Sequence, residues 1–301
     1  MHKRLISALF LVGIAAAGII YYFRHKEDFY LLTSVSVSAV VALSFVFVLI
    51  TLLYGLQLKI LMDHYKLGIG FFQCFGISRA SSFINLFLPF AVSASFKAVY
   101  LNKLLQFRYS SFIASMGMTT IIKIMLYAFI SLLFLIVSDV DVNMFLFGVS
   151  SLIFSASLLF LALGHKLKKL DVTASKHFLN IIDEWQKIRV DYRTIRRLIY
   201  VSLFLFLSAA LNTYLSFRAF SVNISANASG TIAAFTTITG LLNLIPGNLG
   251  IREAIIILIS KSHGVGINES VHAAALGRLL QIIWTLILAS FFRYNLSNKK
   301  R

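Results

Sequence analysis

The chain has 301 residues, 59% of them apolar and only 13% charged, with 28 Phe and a formal net charge of +17. A soluble domain carries about 25% charged residues, so this composition excludes an ordinary soluble enzyme and points to lipid as the solvent. One cysteine, Cys74, excludes an internal disulfide and any Cys-rich metal site.

In chain order, the first apolar run is Leu5–Phe23, between Lys3/Arg4 and Arg24/Lys26. It is long for a signal peptide and has no clear small-residue cleavage site before Arg24, so it reads as a retained helix. Further spans are expected at Val35–Leu58, Phe112–Val137, Val142–Leu163, Leu198–Phe220 and Val271–Phe292. Two more apolar stretches, Phe71–Val92 and Thr231–Ser260, hold the chain's two prolines, Pro89 and Pro246, each close to an asparagine, Asn85 and Asn243. Proline breaks a helix, and in lipid the freed carbonyls need protein or water partners. These stretches read as re-entrant segments. The expected fold is all-α and polytopic, with about six full spans plus two proline-broken re-entrant segments in an inverted repeat. The halves are residues 1–163 and 198–301, with the re-entrant segments near 71–103 and 231–260.

Between the halves, residues 164–197 form a basic linker carrying Lys166, Lys168, Lys169, Lys176, Lys187, Arg189, Arg193, Arg196 and Arg197. Lys299–Arg301 is basic as well, whereas the Ser138–Asp141 turn has two aspartates and no Lys or Arg. The positive-inside rule puts the linker, both termini and the 59–66 turn in the cytoplasm, with the acidic turn outside. The first broken segment then opens to the cytoplasm and the second to the outer side. Within the linker, Phe178, Ile181, Ile182, Trp185 and Ile188 recur at helical spacing. That pattern fits a helix lying on anionic headgroups, or one packed against the membrane domain.

Charges inside apolar stretches are costly and need a partner, water or a use. Ten of the 11 acidic residues fall in loops or at segment ends; Glu253 does not. Lys97, Lys123, Arg252 and Arg278 are cations in apolar surroundings. Gly247 and Gly250 permit tight turning after Pro246, with Asn248 between them. A half-helix starting there presents free amides to an anionic group, and Glu253 complements the dipole and can pair with Arg278. Lys97 either faces a phosphate in a cavity or snorkels to the interface. The substrate-contacting candidates are Asn85, Pro89, Lys97, Asn243, Pro246, Gly247, Asn248, Gly250, Arg252, Glu253 and Arg278. No closely spaced histidine pair, Gly-x-Ser-x-Gly elbow or Walker lysine occurs, so the sequence suggests no metal, no cofactor and no catalytic residue.

Asn85 and Pro89 with Lys97, the run Ile-Pro-Gly-Asn-Leu-Gly-Ile-Arg-Glu from Ile245 to Glu253, and Gly277-Arg278 together resemble the transmembrane, flippase-like part of the lysylphosphatidylglycerol synthase family. The resemblance covers roughly residues 5–292. The chain departs from the family pattern in its first half: Ser93-Ala94 stands where Gly-Glu is usual, Lys97 replaces Arg, and Thr119-Thr120 replaces an acidic/Arg pair. What the resemblance implies is the membrane part without the soluble synthase domain, so lysine transfer from a charged tRNA is not expected. It implies translocation of an amphipathic lipid, a phospholipid or polyprenyl-linked glycan, across a bacterial or archaeal cytoplasmic membrane. Expected partners are membrane lipids with anionic headgroups and a possible second copy of the chain, with no nucleic acid. Two other readings stay open: a membrane-embedded transferase using Glu253 as general base, and a scaffold of a cell-envelope complex docking through the linker.

Overall fold

A computed structural model describes residues 35–137, 144–163, 176–242, 246–248 and 250–298. These form ten α-helices and one short 3-10 turn, with no strand among them. They are α1 (Val37–His64), α2 (Phe71–Phe87), α3 (Phe90–Leu105), α4 (Tyr109–Val137), α5 (Met144–Leu163), α6 (Lys176–Val190), α7 (Tyr192–Arg218), α8 (Ala226–Leu242), the turn Pro246–Asn248, α9 (Ile251–Ser262) and α10 (Ile267–Asn298). The protein is an all-helical, polytopic membrane protein. Five helices, α1, α4, α5, α7 and α10, are long and apolar enough to cross a bilayer. The expected first span, Leu5–Phe23, lies outside the described residues.

Apolar side chains face outward along these helices. Phe45, Leu133, Leu152, Phe204 and Ile287 are all exposed. Such a surface is incompatible with water over this area and suits acyl chains. Several helices outrun the apolar runs that announced them. α1 continues past Leu58 to His64, and α7 begins at Tyr192 rather than Leu198. Asp191 explains the second difference: its carboxylate accepts the Thr194 backbone N–H at 3.1 Å and so caps the helix.

Pro89 separates two helices, and Pro246 opens the 3-10 turn between α8 and α9. α2 stops at Leu88, Pro89 caps α3, and the Ser81 hydroxyl donates to the Ser93 carbonyl at 3.0 Å across the break. The pair is a hairpin, α2–α3. Its outer ends share one core with the end of α1 and the starts of α4 and α7, through Met62, Cys74, Leu101, Phe112 and Leu198. The hairpin α8–α9 has its outer ends in another core, with the end of α7 and the start of α10, through Phe217, Ala228, Ile259, Val265 and Ala273. α4 runs from the first core at Phe112 to the second at Leu135. At 29 residues it is roughly 40 Å long, so the two cores mark opposite ends of the bundle. The hairpins therefore enter from opposite ends and meet in the middle. Helix pairings repeat accordingly: α4 packs on α8 as α10 packs on α2, and α1 packs on α2 as α7 packs on α8.

α6 lies at the first end. The later part of its apolar face packs against the bundle, while Phe178 at its start stays exposed: Ile188 is fully buried, and Trp185 meets Phe160 edge-on at 5.6 Å. Gly117 on α4 makes room, since a Cβ there would stand 3.0 Å from the Trp185 ring. Of the two sequence readings of this helix, the geometry corresponds to packing against the membrane domain.

Candidate functional site: a basic cavity between two hairpins

The turn that joins α8 to α9 is built from left-handed backbone. Gly247 (φ 61°), Asn248 (φ 56°) and Gly250 (φ 82°) all have positive φ. Glycine takes this conformation without a steric cost, and Asn is among the few other residues that tolerate it. Gly247 also needs its small size, because a Cβ there would lie 3.3 Å from the Leu86 carbonyl oxygen at the tip of the other hairpin. The two breaks are thus in backbone contact.

Arg278, from α10, holds this turn. Its Nη1 donates to the Gly247 carbonyl at 2.7 Å, its Nη2 to the Asn248 carbonyl at 3.4 Å, and its Nε to Glu253 Oε1 at 3.0 Å. Nη2 also lies 2.9 Å from Glu253 Oε1. The other Glu253 oxygen accepts the Gly250 N–H at 2.8 Å, which caps the first turn of α9. Breaking a helix inside lipid orphans carbonyls, and this guanidinium satisfies two of them.

Beneath the turn lies a cavity of about 370 Å³. Its walls come from both hairpins and from α1, α4, α7 and α10, and include Asn85, Lys97, Gly247, Asn248, Arg252 and Arg278 among the sequence candidates. Of the remaining candidates, Glu253 backs the wall through Arg278 without lining the cavity, and Pro89 and Gly250 shape the breaks from exposed positions. Pro246 is described by its backbone in the turn, and Asn243 lies outside the described residues. Lys97 lines the cavity rather than snorkelling away from it.

Among the wall residues outside the candidate set are Tyr54, Arg79, Lys123 and Gln281. Arg79, on α2, is 3% exposed, and its Nε has no hydrogen-bond partner among the described residues. An arginine amid the apolar stretch Phe71–Val92, with no acid in that stretch, was the available signal. Lys123, on α4, is 4% exposed and sits 4.6 Å from the centre of the Tyr54 ring. Arg252 donates from Nη1 to Gln281 Oε1 at 2.5 Å. Thr119, Thr120 and Thr236 add hydroxyls to the walls.

A break in each of two opposed hairpins, an arginine from the last long helix clamping the Pro-Gly turn, and a glutamate three residues past Gly250 form one constellation. Comparison with protein families matches residues 5–289 to the lysylphosphatidylglycerol synthase TM region. The chain belongs to that family. No curated protein matches it. As a member of the lysylphosphatidylglycerol synthase TM family, it places the matched region over both hairpins, α6 and most of α10.

Proposed function

We propose that the protein translocates an amphipathic lipid across the membrane, with the headgroup passing through the cavity and the acyl or polyprenyl chains remaining in the bilayer. One observation carries this reading: a polar cavity lies where the tips of two opposed helical hairpins meet, inside a bundle whose outer surface is apolar. Broken helices that meet from opposite faces are the means by which transporters build a polar site in hydrocarbon. In membrane terms the hairpins are re-entrant, α2–α3 from the cytoplasmic face and α8–α9 from the outer face. The basic α6–α7 region lies at the same end as the open end of α2–α3, which agrees with the positive-inside assignment. A membrane of the bacterial or archaeal cytoplasmic type is the proposed setting.

Against the transferase reading stands that Glu253 does not line the cavity and that its two oxygens accept hydrogen bonds from Arg278 and from the Gly250 amide.

The test is lipid movement in proteoliposomes, using fluorescent phospholipid and an impermeant quencher. The wild-type protein is expected to speed exchange between leaflets, and Thr213→Trp, which fills the cavity from α7, is expected to stop it. Exchange no faster than in protein-free vesicles rejects the proposal.

A further inference from the structure

We propose that the cavity is built for a headgroup with at least two negative charges, a phosphomonoester or a diphosphate ester, and that a cationic aminoacyl headgroup is excluded. This names the substrate class of the translocation site and rests on that reading only for the route the lipid takes.

Five cationic side chains line the cavity, Arg79, Lys97, Lys123, Arg252 and Arg278, and no Asp or Glu among the described residues does. Glu253 is ion-paired with one of them, Arg278, which also donates to the turn carbonyls. The other four come from four different helices, α2, α3, α4 and α9, and converge without a carboxylate partner among the described residues. Their nearest polar company is neutral: Gln281 for Arg252 and the Tyr54 ring face for Lys123. Arg79 is almost wholly buried with an unused Nε–H. Cations gathered in a low-dielectric cleft repel one another and lose hydration, and a bound anion relieves both costs.

The arrangement also selects the anion's shape. Guanidinium forks suit the oxygens of phosphate, and lysines add point charge around it. The first turn of α3 supplies a second, independent preference, since Phe90 and Ser93 line the same cavity and place the positive end of a helix dipole there. A phosphodiester carries one charge and leaves most of this field unanswered. A lysyl ester brings ammonium groups into it.

The experiment uses the full chain in detergent and measures binding of dihexanoyl phosphatidic acid, dihexanoyl phosphatidylglycerol, dihexanoyl phosphatidylcholine, lysylphosphatidylglycerol and inorganic phosphate. Phosphatidic acid is expected to bind at least tenfold more tightly than any of the others. Arg79→Gln and Lys123→Met are each expected to weaken it tenfold or more, Arg79→Lys to restore most of the loss, and the exposed Arg193→Gln to change nothing. Equal affinity for phosphatidylcholine or lysylphosphatidylglycerol overturns the charge assignment, and phosphate binding as tightly as phosphatidic acid overturns the lipid assignment. Unchanged affinity in Arg79→Gln and Lys123→Met overturns the location. Vesicle assays separate the two proposals. If phosphatidylcholine crosses as fast as phosphatidic acid, the charge inference fails and translocation stands; tight phosphatidic acid binding without flux of any lipid has the opposite meaning.

Discussion

Gly247 shows how much of the site depends on the absence of a side chain. It combines a φ of 61° with a close approach to the Leu86 carbonyl, so any Cβ there meets both a backbone penalty and a contact. Gly247→Ala is expected to destabilise the protein by about 1–2 kcal/mol, the usual cost of left-handed backbone in an L-residue. Thermal unfolding in detergent measures it. Arg278 is part of the same turn. Arg278→Met removes its bonds to Glu253 and to two carbonyls, and is expected to cost about 1.5–3 kcal/mol, the range for hydrogen bonds to a charged group. A melting temperature equal to that of the wild type would show that the turn holds itself. Glu253 and Arg278 were legible in the sequence because charges within greasy runs are conspicuous. Arg79 also lies in an apolar run but next to no recognisable motif, and only the fold shows that it is buried on the cavity wall.

At the scale of the element, α7 depends on its cap. Asp191 accepts the Thr194 hydroxyl at 2.7 Å and amide at 3.1 Å and pairs with His64 Nδ1 at 2.6 Å. The Thr194 hydroxyl foremost, with His64 beside it, holds the Asp191 carboxyl down at about 2. A carboxylate whose pKa falls on folding contributes stability that is present above its unfolded value and lost as pH drops through the folded one. Stability should therefore decline from about pH 4 to pH 2 in the wild type, and Asp191→Ala should lower it by about 0.5–2 kcal/mol at neutral pH. If melting curves at pH 5 and pH 2 show the same difference between wild type and Asp191→Ala, the cap does not act through its charge. α6 is held by a second polar cluster. Burial pushes the Glu184 carboxyl up, but hydrogen bonds from Lys187 and Ser111 outweigh it and leave its pKa below the ordinary value. The seat for Trp185 is Gly117, so Gly117→Leu is expected to lift α6 from α4 and expose the linker to limited proteolysis.

For the molecule as a whole, the prediction concerns sidedness. Lys66 lies at the end shared by α6 and the start of α7, and Gly264 lies at the end shared by Val265 and the start of α10. In a Cys74→Ser background, cysteines placed singly at these positions are expected to react with an impermeant thiol reagent from opposite faces, position 264 from outside intact cells. Labelling of both from one face would remove the opposed-hairpin arrangement in the membrane.

Apolar runs of near bilayer length, two prolines and the placement of Lys and Arg were enough, in the linear chain, to determine an all-helical membrane protein with two interrupted segments. Those signals are local: a helix in lipid must satisfy its own backbone, so its length and its breaks are written where they occur. Helix ends were less legible, since Asp191 caps α7 through a bond three residues on rather than through any change in hydropathy. The cavity was decided by tertiary structure alone. Arg79, Lys97, Lys123 and Arg252 lie up to 173 positions apart in sequence, and only the meeting of hairpins from opposite ends gathers their charges into one space. Electrostatic fields sum over distance in space, not along the chain, so three cations conspicuous one by one in the sequence, and Arg79 which was not, share one cavity only in the folded bundle.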